Sequence, residues 1–314
     1  MIAFGPIPSR RLGRSLGINN IPPKVCTYSC VYCQLGRTIR VQVEPRFFYS
    51  TRKIVEDVRE KTDKAKDSGE AIDYLTFVPD GEPTLDVNLG KEIDALQPMG
   101  IPVAVISNAS LLWREEVRER MLKADWVSVK VDSVRPETWR RVNRPHGSLD
   151  LPRVLEGVRA FAGEFSGQLT TETMLVKGLN DAESDAQEVA EFVATLSAAA
   201  SYVSIPTRPP AGKWAVPPPE DAINRFYQVM DANLDKVEYL IGYEGNAFAF
   251  TGDAEEDLLS ITAVHPMREE AVNKFLSRAG ETRRLVEQLL LEEKLKMTEY
   301  QGNKYVMRPL RTER

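Results

Sequence analysis

The chain has 314 residues, with 41 Lys and Arg against 46 Asp and Glu for a formal net charge of −5, and 42% of its residues are hydrophobic. No stretch reaches the roughly 18 uninterrupted apolar residues of a membrane span, and the amino end, MIAFGPIPSRRLGRSLG, places its arginines after a very short apolar run; the expectation is a cytoplasmic protein with no membrane contact and no signal peptide. The mild acidity argues against a protein that coats nucleic acid by charge alone, while leaving room for a local basic patch.

In chain order, residues 15–21 form a first candidate strand, and from about residue 70 to 207 short apolar runs alternate with longer amphipathic segments. That rhythm marks βα units around a mostly parallel sheet. The strand-like runs are 74–78, 101–107, 126–131, 169–176 and 202–206. Helices are predicted near 50–67, 87–97, 110–122, 150–165 and 182–199, the first capped by Ser50 or Thr51. These units predict an α/β chain folded as an incomplete barrel, a partial (βα)6 TIM-like barrel whose chemistry collects at the carboxyl ends of its strands. The proline-rich PTRPPAGKWAVPPPE at 206–220 has the stiffness of a semi-rigid connection or an active-site lid. A helix near 219–232 and strand-like pieces at 237–243 and 247–250 complete a first unit, residues 1–255. In residues 256–314, helices near 267–278 and 281–295 precede KMTEYQGNKYVMR, two alternating runs joined at Gln301-Gly302-Asn303, where glycine tolerates positive φ. Two helices and a hairpin predict a winged-helix-like carboxyl-terminal module.

The sequence holds three cysteines, Cys26, Cys30 and Cys33, all in VCTYSCVYCQLG and spaced C-x3-C-x2-C. An odd number this tightly grouped is no disulfide framework. Such spacing lets a looping backbone turn its sulfurs toward one centre, and thiolates are the preferred ligands of iron-sulfur clusters. A four-iron cluster held by three cysteines keeps one iron open to an exogenous ligand. A structural zinc site is the rival reading, but zinc usually takes four protein ligands in two close pairs, and the two histidines, His146 and His265, lie far away in sequence.

With Tyr32 just before the last cysteine, this loop closely resembles the signature of the radical S-adenosylmethionine (SAM) superfamily. The resemblance implies a barrel of that family's type and a [4Fe-4S] cluster whose open iron binds S-adenosylmethionine. It also implies reductive cleavage of that cofactor to a 5′-deoxyadenosyl radical, with an electron from a flavodoxin- or ferredoxin-type donor, and so an oxidoreductase. Further segments resemble the family in order. Asp80-Gly81-Glu82-Pro83 is similar to its Gly-Gly-Glu segment, with Gly81, Glu82 or adjoining carbonyls accepting the methionyl ammonium; the competing reading is a plain turn after a strand. Ser107 and Asn108 resemble the ribose-binding position, although Ser-Asn-Ala-Ser is also a good helix cap. Lys130 and Asp132 share a strand face, either toward the barrel mouth or as a structural ion pair. Thr171 and Thr173 resemble the polar residues that approach the nucleoside, with Gly178, Asn180 and Asp181 closing the turn beyond them.

Over nearly the whole length, GPIPSRRLGRSLG, the run Gln34-Leu35-Gly36-Arg37-Thr38, PTRPP and YEGNAFAF together resemble a family of that superfamily related to the wyosine-type transfer RNA base-modifying enzymes, a likeness that names no substrate. Candidate substrate contacts are Arg10, Arg11, Arg14, Arg37 and Arg208, with Tyr243 and Glu244. Guanidinium groups suit phosphates and carboxylates, although each arginine is equally at home on a solvated surface. From Arg268 onward there are eleven Lys or Arg and eight Asp or Glu, a local excess that permits nucleic-acid contact. The sequence therefore supports a radical enzyme acting on a transfer RNA base, the same chemistry on a protein, peptide or small metabolite, or a metal-stabilised nucleic-acid-binding protein without turnover. No second cysteine group exists for an auxiliary cluster.

Overall fold

The computed structural model describes residues 2–242 and 245–309. Its first part runs β1 (Ala3–Ser9), β2 (Gly13–Ile18), β3 (Val25–Cys26), β4 (Arg40–Val41), α1 (Thr51–Asp67), β5 (Tyr74–Phe77), α2 (Leu89–Leu96), β6 (Val103–Ser107), α3 (Glu115–Met121) and β7 (Trp126–Lys130). It continues α4 (Pro136–Asn143), α5 (Leu151–Glu164), β8 (Gln168–Met174), α6 (Glu183–Ala194), β9 (Ala200–Ser204), α7 (Glu220–Asn233) and β10 (Val237–Leu240). The carboxyl-terminal part is α8 (Ala254–Val264), β11 (Met267–Arg268), α9 (Glu269–Ala279), α10 (Arg283–Leu291), β12 (Lys296–Tyr300) and β13 (Asn303–Met307).

The main sheet has eight strands in the order β1-β2-β5-β6-β7-β8-β9-β10 and curls into part of a barrel. Its strands from β2 to β10 are parallel, and β1 pairs antiparallel with β2. Strand parity sorts the side chains. Leu75 and Phe77 of β5 join Ile54 and Val58 of α1 in the outer core, while Thr76 faces inward and hydrogen-bonds Ser15 at 2.7 Å. The six βα units expected from periodicity are present, the strand expected at 237–243 joins the sheet as β10, and the antiparallel edge β1 is added. That edge strand, AFGPIPS, escapes a periodicity reading because it carries a glycine and two prolines, which an edge tolerates and a central strand does not. Residues 247–250, expected as a strand, form none. Ser50 caps α1 as expected, its hydroxyl accepting from the Lys53 amide at 3.3 Å.

The carboxyl-terminal part adds a helix that the sequence reading lacked. Helix α8 is buried on most sides, between β1 and a small core that includes Phe248, Met267, Phe275 and Leu289, so it shows no single apolar stripe. Strands β11-β13-β12 form a second sheet, and the β12–β13 turn is Gln301-Gly302, both with positive φ. This part is bolted to the barrel. The buried Lys61 ammonium of α1 pairs with Asp257 of α8 and donates to Thr251 Oγ1 at 3.0 Å. Glu70 pairs with both Arg14 and Arg278. No helix among the described residues is long and apolar enough to cross a membrane.

Two predictions follow from these buried charges. Asp257→Ala leaves Lys61 buried without its counter-ion and is expected to cost about 3–5 kcal/mol, read as a lowered denaturation midpoint; an unchanged midpoint rejects the pair as the bolt. Glu92 in the first turn of α2 is fully buried, and burial, reinforced by the Asp86 carboxylate, pushes it up to about 9. The folded chain then keeps a proton that the unfolded chain releases near 4.5, so stability falls as pH rises between those values. Urea denaturation across that range should show a flatter pH slope for Glu92→Gln; equal slopes would assign the effect elsewhere.

Candidate active site

A cavity of about 380 Å³ opens at the carboxyl ends of the parallel strands. The cysteine loop forms one wall. Strand β3 starts it by pairing with β4, and short turns follow, Cys33 N to Cys30 O at 3.2 Å and Gly36 N to Cys33 O at 3.1 Å. Cys26, Cys30 and Cys33 are free thiols, and all three line the cavity. Burial pushes each thiol up, Cys30 to about 12. Uncompensated thiolates are costly there, and three thiols are a donor set chemically suited to iron, whose positive charge would stabilise them. Among the described residues, no group of three or more His, Cys, Asp and Glu is arranged to hold one metal ion.

The DGEP segment packs directly on this loop. The Glu82 amide donates to the Val25 carbonyl at 3.1 Å, and a Cβ at Gly81 would lie 1.8 Å from that oxygen, so only glycine fits. The Glu82 carboxylate is already engaged, accepting from Thr84 Oγ1 at 2.6 Å, Ser107 Oγ at 2.7 Å and the Asn108 amide at 2.8 Å. It locks the ends of β5 and β6 together. Asn108 also turns its side-chain amide toward the cysteine loop, donating to Thr27 Oγ1 at 2.7 Å and Cys26 Sγ at 3.5 Å. Asp80 lines the cavity, and burial raises its carboxyl to about 7.

Inside the barrel a charged network carries the rest. Glu172, on the inward face of β8, pairs with Lys130 at 3.0 Å and Arg11 at 2.6 Å and accepts from Ser204 Oγ at 2.9 Å. Burial opposes its charge, yet Lys130 and Arg11 hold the carboxyl well below the usual carboxylate range. Lys130 lies 3.4 Å from Asp132 and 5.0 Å from the centre of the Tyr32 ring. Asp132 bonds the Tyr32 hydroxyl and accepts from Asn143 Nδ2 at 2.6 Å. Both sequence readings of this pair therefore apply: Lys130 lines the cavity, and Asp132 sits beneath the loop as a structural partner.

The other nominated residues divide between the cavity, which Arg10, Arg11 and Arg208 line, and other parts of the chain. Thr171 and Thr173 point away from Glu172, bonding Ser201 at 2.9 Å and the Val131 carbonyl at 2.8 Å, because strand parity puts 172 inward. Arg11 fills the lower barrel over Trp126 and Tyr202 with its guanidinium on Glu172, so it is a floor and not a mouth. Arg14 lies at the amino end of the sheet with Glu70, away from the cavity, and Arg37 is exposed outside it. Arg10 and Arg208 line the cavity, and Arg208 donates to Gln34 at 2.6 Å. Tyr243 and Glu244 lie outside the described residues. Three residues of the site were not foreseen in these roles. Glu172 lay between the two nominated threonines, where parity with Lys130 was the available signal; Asn143 and His265 reach the site only through tertiary packing. His265 and Val264 bring the end of α8 to the cavity, where Gln34 donates to the Val264 carbonyl at 3.0 Å.

A partial parallel barrel with a three-thiol loop at its strand ends defines an enzyme of the radical SAM class. The family model for the radical SAM superfamily matches residues 20–193, and the chain belongs to that superfamily. A UPF0026 protein of Methanocaldococcus jannaschii is 45% identical over 313 residues, covering 99% of this chain and 97% of that one. Among solved structures, a radical SAM methyltransferase from Sphaerobacter thermophilus superposes with a TM-score of 0.55 at 17% identity, covering 72% of this chain and 66% of that one. TYW1 with a lysine-pyruvate adduct bound superposes with a TM-score of 0.55 at 16% identity, covering 70% and 74%. Both share the fold.

Glu82→Ala strands the donors of Ser107, Thr84 and Asn108 and is expected to destabilise the chain by about 1–3 kcal/mol while also weakening S-adenosylmethionine binding. A parent-like melting midpoint would contradict its role as the lock between β5 and β6.

Proposed function

We propose that Cys26, Cys30 and Cys33 hold three irons of a [4Fe-4S] cluster and that S-adenosylmethionine takes the fourth. When bound and reduced by a flavodoxin- or ferredoxin-type donor, this pair supplies a 5′-deoxyadenosyl radical that removes a hydrogen atom from the substrate. The observation that carries the reading is the convergence of three thiols and the DGEP segment on one cavity at the strand ends. The chain's own residues then have distinct tasks. The carbonyls around Gly81 accept the methionyl ammonium, braced by Glu82, while Ser107 supports that brace. Tyr32, held by Asp132, keeps the loop rigid. Arg10, Arg208 and His265 border the remaining space, a setting that suits an anionic substrate group.

For the substrate we infer a transfer RNA base. The order α8-β11-α9-α10-β12-β13 supports a winged-helix-like module over residues 256–314, and Tyr300 and Tyr305 of its hairpin donate to the Pro206 and Thr207 carbonyls at 3.1 and 2.9 Å. Both carbonyls lie immediately before Arg208 in the chain, which supports a role for this hairpin at the cavity. The resemblance to the wyosine-type enzymes supports the same reading.

Anaerobic reconstitution should give iron, inorganic sulfide and 5′-deoxyadenosine formation. Cys30→Ala is expected to abolish all three, because the chain holds no spare cysteine; retained cofactor cleavage would overturn the ligand assignment. Incubation with deuterated transfer RNA should move deuterium into 5′-deoxyadenosine, and transfer only from peptide or metabolite pools would replace the substrate reading.

A further inference from the structure

Two asparagine amides, the buried Asn143 and the half-buried Asn108, point at the cysteine sulfurs, and in both the chemistry of the other contacts fixes which end of the amide faces the thiol. Asn143 Nδ2 lies 2.6 Å from Asp132 Oδ2, and the ionised carboxylate only accepts, so this atom is the amide nitrogen. One of its two hydrogens serves Asp132, and the other faces Tyr32 Oη at 3.3 Å and Cys30 Sγ at 3.5 Å as a shared bond. Asn108 Oδ1 accepts from the Ser110 amide at 3.0 Å, which forces its nitrogen toward Thr27 Oγ1 and Cys26 Sγ. Neither side chain can turn away without losing a bond to a fixed partner. Asn143 is 2% exposed, so water offers little replacement.

We propose that Asn143 and Asn108 are positioning residues that set the reduction potential of the cluster through hydrogen bonds to Cys30 and Cys26. The inference rests on the cluster reading above. Reduction adds one electron from the external donor to the cluster, taking it from the 2+ to the 1+ state and leaving the thiolate sulfurs more negative. An N–H donor stabilises that form more than the oxidised one, so each amide raises the potential. The proposal changes what Asn108 does: its side chain serves the cluster wall and not the ribose.

The test is an EPR-monitored redox titration of the reconstituted full chain, parent against Asn143→Ala, Asn108→Ala and the double variant, with iron, sulfide and circular dichroism measured on each. Each single loss is expected to shift the reduction equilibrium about tenfold toward the oxidised form, about 59 mV for one electron, and the double variant further in the same direction. Asn108→Leu and Asn143→Leu keep the side-chain volume and remove the donor without adding charge, so they carry the measurement if an alanine variant does not fold. Potentials equal to the parent's in folded, cluster-loaded variants would overturn the inference and leave the cluster reading standing. A parent that assembles no iron and sulfide overturns both.

Discussion

One backbone contact holds the site together: the Val25 carbonyl receives the Glu82 amide while Gly81 presses against it with no room for a Cβ. The cysteine loop has almost no regular structure of its own; the end of β5 gives it a surface to lie on, and the end of α4 holds its other side through Val31 N to Val142 O at 3.0 Å and Ser29 N to Asn143 O at 3.1 Å. Glu82 extends the constraint by clamping Thr84, Ser107 and Asn108, and Asn108 returns to Cys26. A closed circuit of hydrogen bonds thus joins the end of two strands to a cysteine thiol. Buried polar groups linked in this way are costly to leave half satisfied, and that cost is what keeps the geometry unique.

The second constraint is electrostatic. Glu172 and Asp132 face Lys130 and Arg11 in the barrel interior, two carboxylates against two cations. Removing these charges from water is expensive, and each carboxylate also draws on hydroxyl, amide or phenol donors, which is how such a network is tolerated. Its upper end reaches Tyr32 in the cysteine loop, and its lower end is the Arg11 turn beneath the barrel. The floor of the barrel and the wall of the cavity are therefore one polar structure.

The carboxyl-terminal part completes that cavity. Lys61–Asp257 and Glu70 fasten it to α1, to β2 and to the loop before β5, while Val264 and His265 reach the site from α8. Tyr300 and Tyr305 hold the carbonyls of the proline-rich segment that carries Arg208, and Arg208 in turn meets Gln34 one residue past the last cysteine. The segment is held at its start by these bonds and further along by Gly212 N to Val31 O at 2.8 Å and Lys177 N to Val216 O at 3.0 Å, as a wall of the cavity and not as a loose connection between parts.

How much was legible in the residues follows from the range of each interaction. The βα rhythm, the cap at Ser50, the hairpin turn at Gln301-Gly302 and the three-thiol loop depend on neighbours a few positions apart, and local chemistry was enough to find them. Strand β1 and helix α8 were not found, since one tolerates prolines only because it lies at an edge and the other loses its stripe because it is buried on most sides. The same division runs through the site. Residue types and spacing named the cysteines, strand period put Lys130 and Asp132 on one face, and the family resemblance named the DGEP segment. Which way β8 turns its side chains, that Arg11 is a floor while Arg208 is a wall, and that Asn143 meets Cys30 were decided only by tertiary structure, because each depends on strand register or on contacts between residues over a hundred positions apart.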